Sequence, residues 1–247
     1  MVQLQYDGSF EGLLTAVFVV YEYGYKEVDI KPEGAATALL FGEVETIYTD
    51  ADKAWRVLHK VEQCWGKAGV AILLRAFLSA ETQIENHILE AIRLMVRMPE
   101  MNVLENFGHQ AIAHIQKAAK SVSREVHRMK EFVRFERVGE VYFAQLTPQY
   151  DVLPLVIPHF KNRFSDQQWI IYDLRRCYGF VYDLEKVTTF TPANKQFGKL
   201  IERGTDVYEQ LWKTYFRHIN IVERKNSKYQ MRNMPKRYWR YLTELKD

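Results

Sequence analysis

The 247-residue chain holds only two cysteines, Cys64 and Cys177, far apart from each other. One disulfide is arithmetically possible. There is no CxxC pair for zinc and no cysteine triad for an iron–sulfur cluster, so the chain alone is not a metal-cluster enzyme of those kinds, and neither a metal nor another cofactor is expected. Seven histidines are scattered without HxxxH or HExxH spacing, which leaves a zinc hydrolase without support. GxGxxG, GxxxxGK[ST] and GxSxG are all missing, and with them the dinucleotide-binding, P-loop and serine-hydrolase templates. Long apolar runs are missing as well. The stretch from Leu13 to Tyr21 is too short to span a bilayer and is followed by Glu22. The first residues lack a basic start followed by an apolar core and a small-residue cleavage site, so a cytoplasmic protein with no membrane partner is expected.

What is present is hydrophobic, aromatic and unevenly charged. Hydrophobic residues make up 47% of the chain and aromatic residues 14%, enough for one large core or two modest ones. The net charge is only +3, yet residues 213–240 carry nine lysines and arginines against Glu223 alone. That segment therefore stands at +8 and the rest of the chain at −5. Tyr215, Phe216, Tyr229, Tyr238 and Trp239 interleave with these cations, and rings among cations suit a polyanion, whose phosphates take the charge and whose bases take the rings. A solvated basic tail without a specific partner is the alternative reading.

The pattern along the chain is first helical, then strand-rich. Leu4 to Tyr6 reads as a short strand, and Ser9 as the N-cap of an apolar, central helix that Gly24 ends. Residues 28–48 look irregular apart from a strand at Val44 to Tyr48. Asp52 follows Thr49 as a capping signal for a helix to Trp65, Gly66 breaks it, and another begins near Lys67. Amphipathic helices follow around Ile84–Val96, stopped by Pro99, and over Gln110–Lys130. Phe132–Val138 and Val141–Leu146 flank a Gly139-Glu140 turn as a hairpin. Next come a helix over Val152–Phe164 carrying Pro154 and Pro158, strands at Trp169–Asp173 and Gly179–Tyr182, a possible strand at Val187–Phe190, and a long helix over Phe197–Ile219 that leads into the basic tail. The fold class is α+β: a helical N-terminal part packed with an antiparallel strand-strand-helix-strand-strand sheet unit and a long closing helix.

Two further clusters carry possible chemistry. Arg124, Arg128, Lys130, Arg134 and Arg137 straddle the end of a helix and the start of a strand, with Glu125, Glu131 and Glu136 among them. Cations at a helix C-terminus are favourable for dipole reasons alone, so this cluster is either a phosphate-tracking surface joined to the tail or a self-neutralised helix end. Asp173, Arg175 and Arg176 close a strand. A carboxylate beside guanidiniums can orient a phosphate or a water, and it is also what a surface turn looks like.

Several segments resemble a family of uncharacterised bacterial proteins associated by description with DNA metabolism or DNA repair, whose shared part is a domain of unknown function. The pieces are Tyr6-Asp7-Gly8-Ser9-Phe10-Glu11-Gly12-Leu13-Leu14, His127-Arg128-Met129-Lys130 with Phe132-Val133-Arg134-Phe135, and Pro158, Phe160, Arg163 and Phe164 before Trp169. They continue with Asp173 and Arg176, Trp212 with Tyr215-Phe216, Glu223-Arg224 with Asn226, and Met234-Pro235-Lys236-Arg237-Tyr238-Trp239. The likeness strengthens after about Gln83, so residues 1–82 are read as an N-terminal α/β subregion and 83–247 as the shared α+β domain, interlocked as one unit. The resemblance implies a companion of a radical-SAM protein of DNA-repair type, with related domains joined to a uracil-DNA-glycosylase-like domain. The expected function is a DNA-binding accessory that uses Arg128, Lys130, Arg134, Arg224, Lys225, Lys236 and Arg237, while Tyr238 and Trp239 stack on exposed bases or seal the tail to the core. The alternatives are an enzyme processing DNA bases or backbone, with Asp173 and Arg176 near the chemistry, and a protein scaffold without DNA contact.

Overall fold

A computed structural model describes residues 2–34, 43–99, 101–138, 141–191 and Tyr238. The expected closing helix over 197–219, together with Arg224, Lys225, Lys236, Arg237 and Trp239, lies outside the described residues. The chain divides into two compact units, Met1–Ser123 and Arg124–Asp247. The division falls inside a helix, well beyond the residue 83 where the resemblance strengthens.

In the first unit, β1 (Val2–Tyr6) is the middle strand of a parallel sheet between β2 (Val28–Pro32) and β3 (Glu43–Thr46). The β2 stretch, read from sequence as irregular because of Pro32 and Gly34, pairs along its whole length with β1. Proline is tolerated there because β2 is an edge strand, with no further neighbour needing its missing N–H among the described residues. Helix α1 (Phe10–Glu22) starts where Ser9 Oγ accepts from the Gly12 N–H, and Gly24 follows its end at φ +69°. Its apolar residues are buried on nearly every side. Helix α2 (Ala51–Leu78) is capped by Asp50 and interrupted at Gly66, whose φ of +67° is a backbone conformation that glycine adopts without a Cβ clash. Helix α3 (Ile84–Arg97) and the first part of α4 (Gln110–Phe132) complete the unit. Leu4, Leu13, Val17, Ile30, Leu73, Ile88 and Ile112 meet in its core.

The second unit begins with the last turns of α4 and contains β4 (Glu136–Val138), β5 (Val141–Leu146), α5 (Leu153–Arg163), β6 (Trp169–Asp173), β7 (Tyr178–Tyr182) and β8 (Val187–Phe190). Its sheet runs in chain order from β4 to β8. One expectation needs correction: the sheet is mixed, because β5 and β6 pair in parallel while the other neighbours pair antiparallel. The connection explains it. A hairpin turn reverses the chain, whereas the helical crossover through α5 carries it back to start the next strand in the same direction. Helix α4 also runs on through Phe132, which shortens the first hairpin strand to Glu136–Val138. Close approach of β6 and β7 is permitted by Gly179, where a Cβ would stand 2.5 Å from the Ile171 carbonyl oxygen and 2.8 Å from the Phe190 ring.

Candidate nucleic-acid interface

His127 stands one turn before Lys130 and Glu131 on the last turns of α4, and Arg134 follows just past the end of the helix. His159 with Arg163, and Phe160 with Phe164, repeat the spacing of four on α5. Between these segments the sheet contributes Tyr142 of β5 and Trp169 of β6, which face each other in parallel register. Together with Val133, Phe135 and Gln167 these residues line a cleft of about 820 Å³.

One side of the cleft is aromatic. The Phe135 ring meets Phe160 edge-on at 5.7 Å, Phe164 at 5.3 Å and Trp169 at 6.4 Å. Phe160 and Trp169 are buried, while Phe135, Phe164 and Tyr142 are only half-buried. The Trp169 Nε1–H is buried without a hydrogen-bond partner among the described residues. The charge is one-sided: Lys130, Arg134 and Arg163 line the cleft against Glu131 as the single acid among its described residues. Arg134 Nη1 donates to the carbonyls of Glu131 (2.9 Å) and Val133 (3.3 Å), which caps the C-terminal end of α4 with a cation. The Arg163 guanidinium lies 5.6 Å from the centre of the Phe164 ring. Burial first, and then the charges of Lys130 and Arg163, hold the His159 imidazole below its ordinary pKa. His159 is therefore neutral at neutral pH and leaves Lys130, Arg134 and Arg163 as the cations.

The sequence-derived site residues separate into several groups. Lys130 and Arg134 line the cleft; Arg128, half-buried on the same helix, does not. Arg163, His159, Gln167 and the rings are not among the site residues expected from the sequence, although the four-residue spacing on α5 is present there before Trp169.

Asp173 and Arg176 are occupied in closing a turn. Asp173 is fully buried, and its Oδ1 accepts from the N–H groups of Arg175 (2.8 Å) and Arg176 (3.1 Å) while Oδ2 accepts from Arg176 Nη1 at 2.9 Å. Arg176 reaches on to the carbonyls of Pro148 (3.3 Å) and Gln149 (3.0 Å), and Arg175 Nη1 donates to Gln149 O at 2.9 Å. This geometry holds the segment that follows β5.

A second carboxyl grips the same segment. Glu125 is buried on α4 and accepts from the N–H of Gln149 at Oε1 (2.9 Å) and of Tyr150 at Oε2 (2.7 Å). Its neighbours in sequence suggest pairing with arginine; among the described contacts its oxygens hold the backbone. The hydroxyl of Tyr238 donates to the same carboxyl, and Tyr238 is buried, in the sealing role and not presented to solvent for stacking. The helix-end segment and the basic segment thus meet at this described position. Nearby, the Tyr178 hydroxyl donates to Asp151. Burial pushes the Asp151 carboxyl up, an effect that hydrogen bonding from Tyr178 only partly offsets.

Among the described residues no three His, Cys, Asp or Glu side chains converge as a metal site, and no helix is long and apolar enough to cross a membrane. The family described as a domain of unknown function (DUF4130) matches residues 82–244, and the chain belongs to it. No curated protein and no solved structure matches.

Proposed function

We propose that this member of the DUF4130 family is a DNA-binding accessory protein that holds a strand for a partner enzyme. The observation that carries the reading is the cleft, where Lys130, Arg134 and Arg163 border half-buried rings with Glu131 as the only opposing acid among the described lining residues. Cations supply the sequence-independent attraction to phosphates, and rings supply stacking surface that accepts any base. In sequence, Lys236 and Arg237 immediately precede the buried Tyr238 and belong to the basic segment. With two cysteines, the chain leaves cluster chemistry to its partner, for which the sequence resemblance suggests a radical-SAM protein of DNA-repair type.

The test is the salt dependence of binding to a short single-stranded DNA. Each phosphate neutralised contributes roughly −0.7 to the slope of log K against log salt, so the three cleft cations alone give a slope of about −2. The double variant Lys130→Ala/Arg163→Ala should flatten it by about 1.4, and Lys236→Ala/Arg237→Ala should flatten it by a similar amount if the tail shares the strand. Absence of binding at low salt, or an unchanged slope in the cleft variant, would overturn the proposal.

A further inference from the structure

We infer that the cleft of the second unit receives one unpaired nucleotide of the bound strand, its base against the aromatic wall and its phosphate on Lys130 and Arg163. The inference rests on the DNA-binding reading and adds what the cleft recognises.

Shape is the first argument. A volume of about 820 Å³ lies inside the range of roughly 300–1,000 Å³ usual for sites that engulf a small organic group. A paired duplex meets a protein through its phosphates and groove edges, because its base faces are already stacked on one another. It cannot make use of a concave wall of rings. An unpaired base can, since both of its faces are free, and the half-buried Phe135 and Phe164 stand at the cleft with the buried Phe160 and Trp169 behind them.

Hydrogen bonding is the second argument. Gln167, half-buried in the lining of the cleft, carries an amide that both donates and accepts. Base edges carry carbonyl and ring-nitrogen acceptors beside amino donors, the groups that such an amide pairs with. The Trp169 indole N–H, closed off from solvent, takes no part in this readout.

Charge placement is the third. Lys130 comes from α4 and Arg163 from α5, and both charges act on the His159 imidazole, which burial and these neighbours keep neutral. The arginine is exposed and its guanidinium lies over the Phe164 ring, the face a base takes when the side chain swings out to the phosphate. A nucleotide whose base lies on Phe164 therefore has a cation within reach for its own phosphate.

The decisive experiment compares two labelled DNA hairpins by fluorescence anisotropy at fixed low salt. One carries a single bulged thymidine; the other carries an abasic site at the same bulge, with identical phosphates. The base-bearing hairpin should bind about tenfold more tightly, the scale of one base–ring stack. Phe164→Leu, which keeps apolar volume but removes the ring face, should shrink that ratio to about two or less. Arg163→Ala, at an exposed position, should weaken both hairpins alike and leave the ratio. Equal affinity for the two hairpins in the wild-type protein overturns the inference while DNA binding stands. Failure of both hairpins and of single-stranded DNA to bind removes the DNA-binding reading and this inference with it. A melting curve of Phe164→Leu coincident with wild type assigns a reduced ratio to the lost ring and not to unfolding.

Discussion

Loss of the Glu125 side chain should destabilise the second unit strongly. Glu125 is 1% exposed, and among the described residues three donors converge on its two carboxyl oxygens: the backbone N–H groups of Gln149 and Tyr150 and the hydroxyl of Tyr238. Glu125→Ala strands all three. A buried donor left without a partner costs about 1–3 kcal/mol, and because Gln149 is exposed, water can rescue part of the loss at its amide. A destabilisation of about 2–4 kcal/mol follows, large against a typical domain stability of about 5–15 kcal/mol. Glu125→Gln keeps one acceptor oxygen but turns an NH2 group toward a backbone donor, at a cost of about 1–2 kcal/mol. Tyr238→Phe removes one donor and spares the backbone contacts, so about 0.5–1.5 kcal/mol is expected. The order Ala, Gln, then Tyr238→Phe should appear as descending shifts of the urea midpoint, followed by far-UV circular dichroism. A Glu125→Ala protein within about 0.5 kcal/mol of wild type, the usual scale of an unimportant surface change, would show that this carboxyl does not anchor the segment after β5.

Three other perturbations have definite outcomes. Gly179→Ala pushes a methyl toward the Ile171 carbonyl and the Phe190 ring; urea denaturation should report a loss of about 1–3 kcal/mol, as for overpacked sites, and an unchanged midpoint would contradict the close approach of β6 and β7. Cys177 sits at φ +58°, a region that costs a non-glycine residue about 1–2 kcal/mol, part of which glycine gives back in chain entropy; Cys177→Gly should gain about 0.5–1 kcal/mol, and a loss in the thermal midpoint would refute it. Burial pushes the Glu85 carboxyl up, with the Tyr6 hydroxyl on it at 3.1 Å offsetting only part of the rise. The folded state therefore favours protonated Glu85, and its contribution, fully present below the unfolded pKa, is lost as pH rises through the higher folded value. Glu85→Gln should gain on wild type as denaturation is repeated at increasing pH across that window, and a constant difference between the two proteins would exclude the effect.

The elements that were legible in the sequence are those specified by a few adjacent residues. Ser9 caps α1, Gly24 follows its end, and Gly66 interrupts α2, because an N-cap oxygen or a positive φ acts within one turn of backbone. The hairpin of β4 and β5 and the helix that begins with Leu153 and Pro154 belong to the same class. Of the candidate site, Lys130 and Arg134 were visible as a basic helix end. Asp173 and Arg176 had the right residue types for chemistry, yet what such a pair does depends on what lies opposite, and the carbonyls of Pro148 and Gln149 lie there.

Only the tertiary structure decided the parallel pairing of β5 with β6, the strand character of Val28–Pro32, the use of Glu125 by a distant backbone segment, and the meeting of α4, α5 and the sheet around one cleft. Each of these joins residues whose approach requires a long loop to close, and the free energy that selects one closure over another comes from packing shared by the whole unit. Local preference is written residue by residue; which surfaces face each other is not.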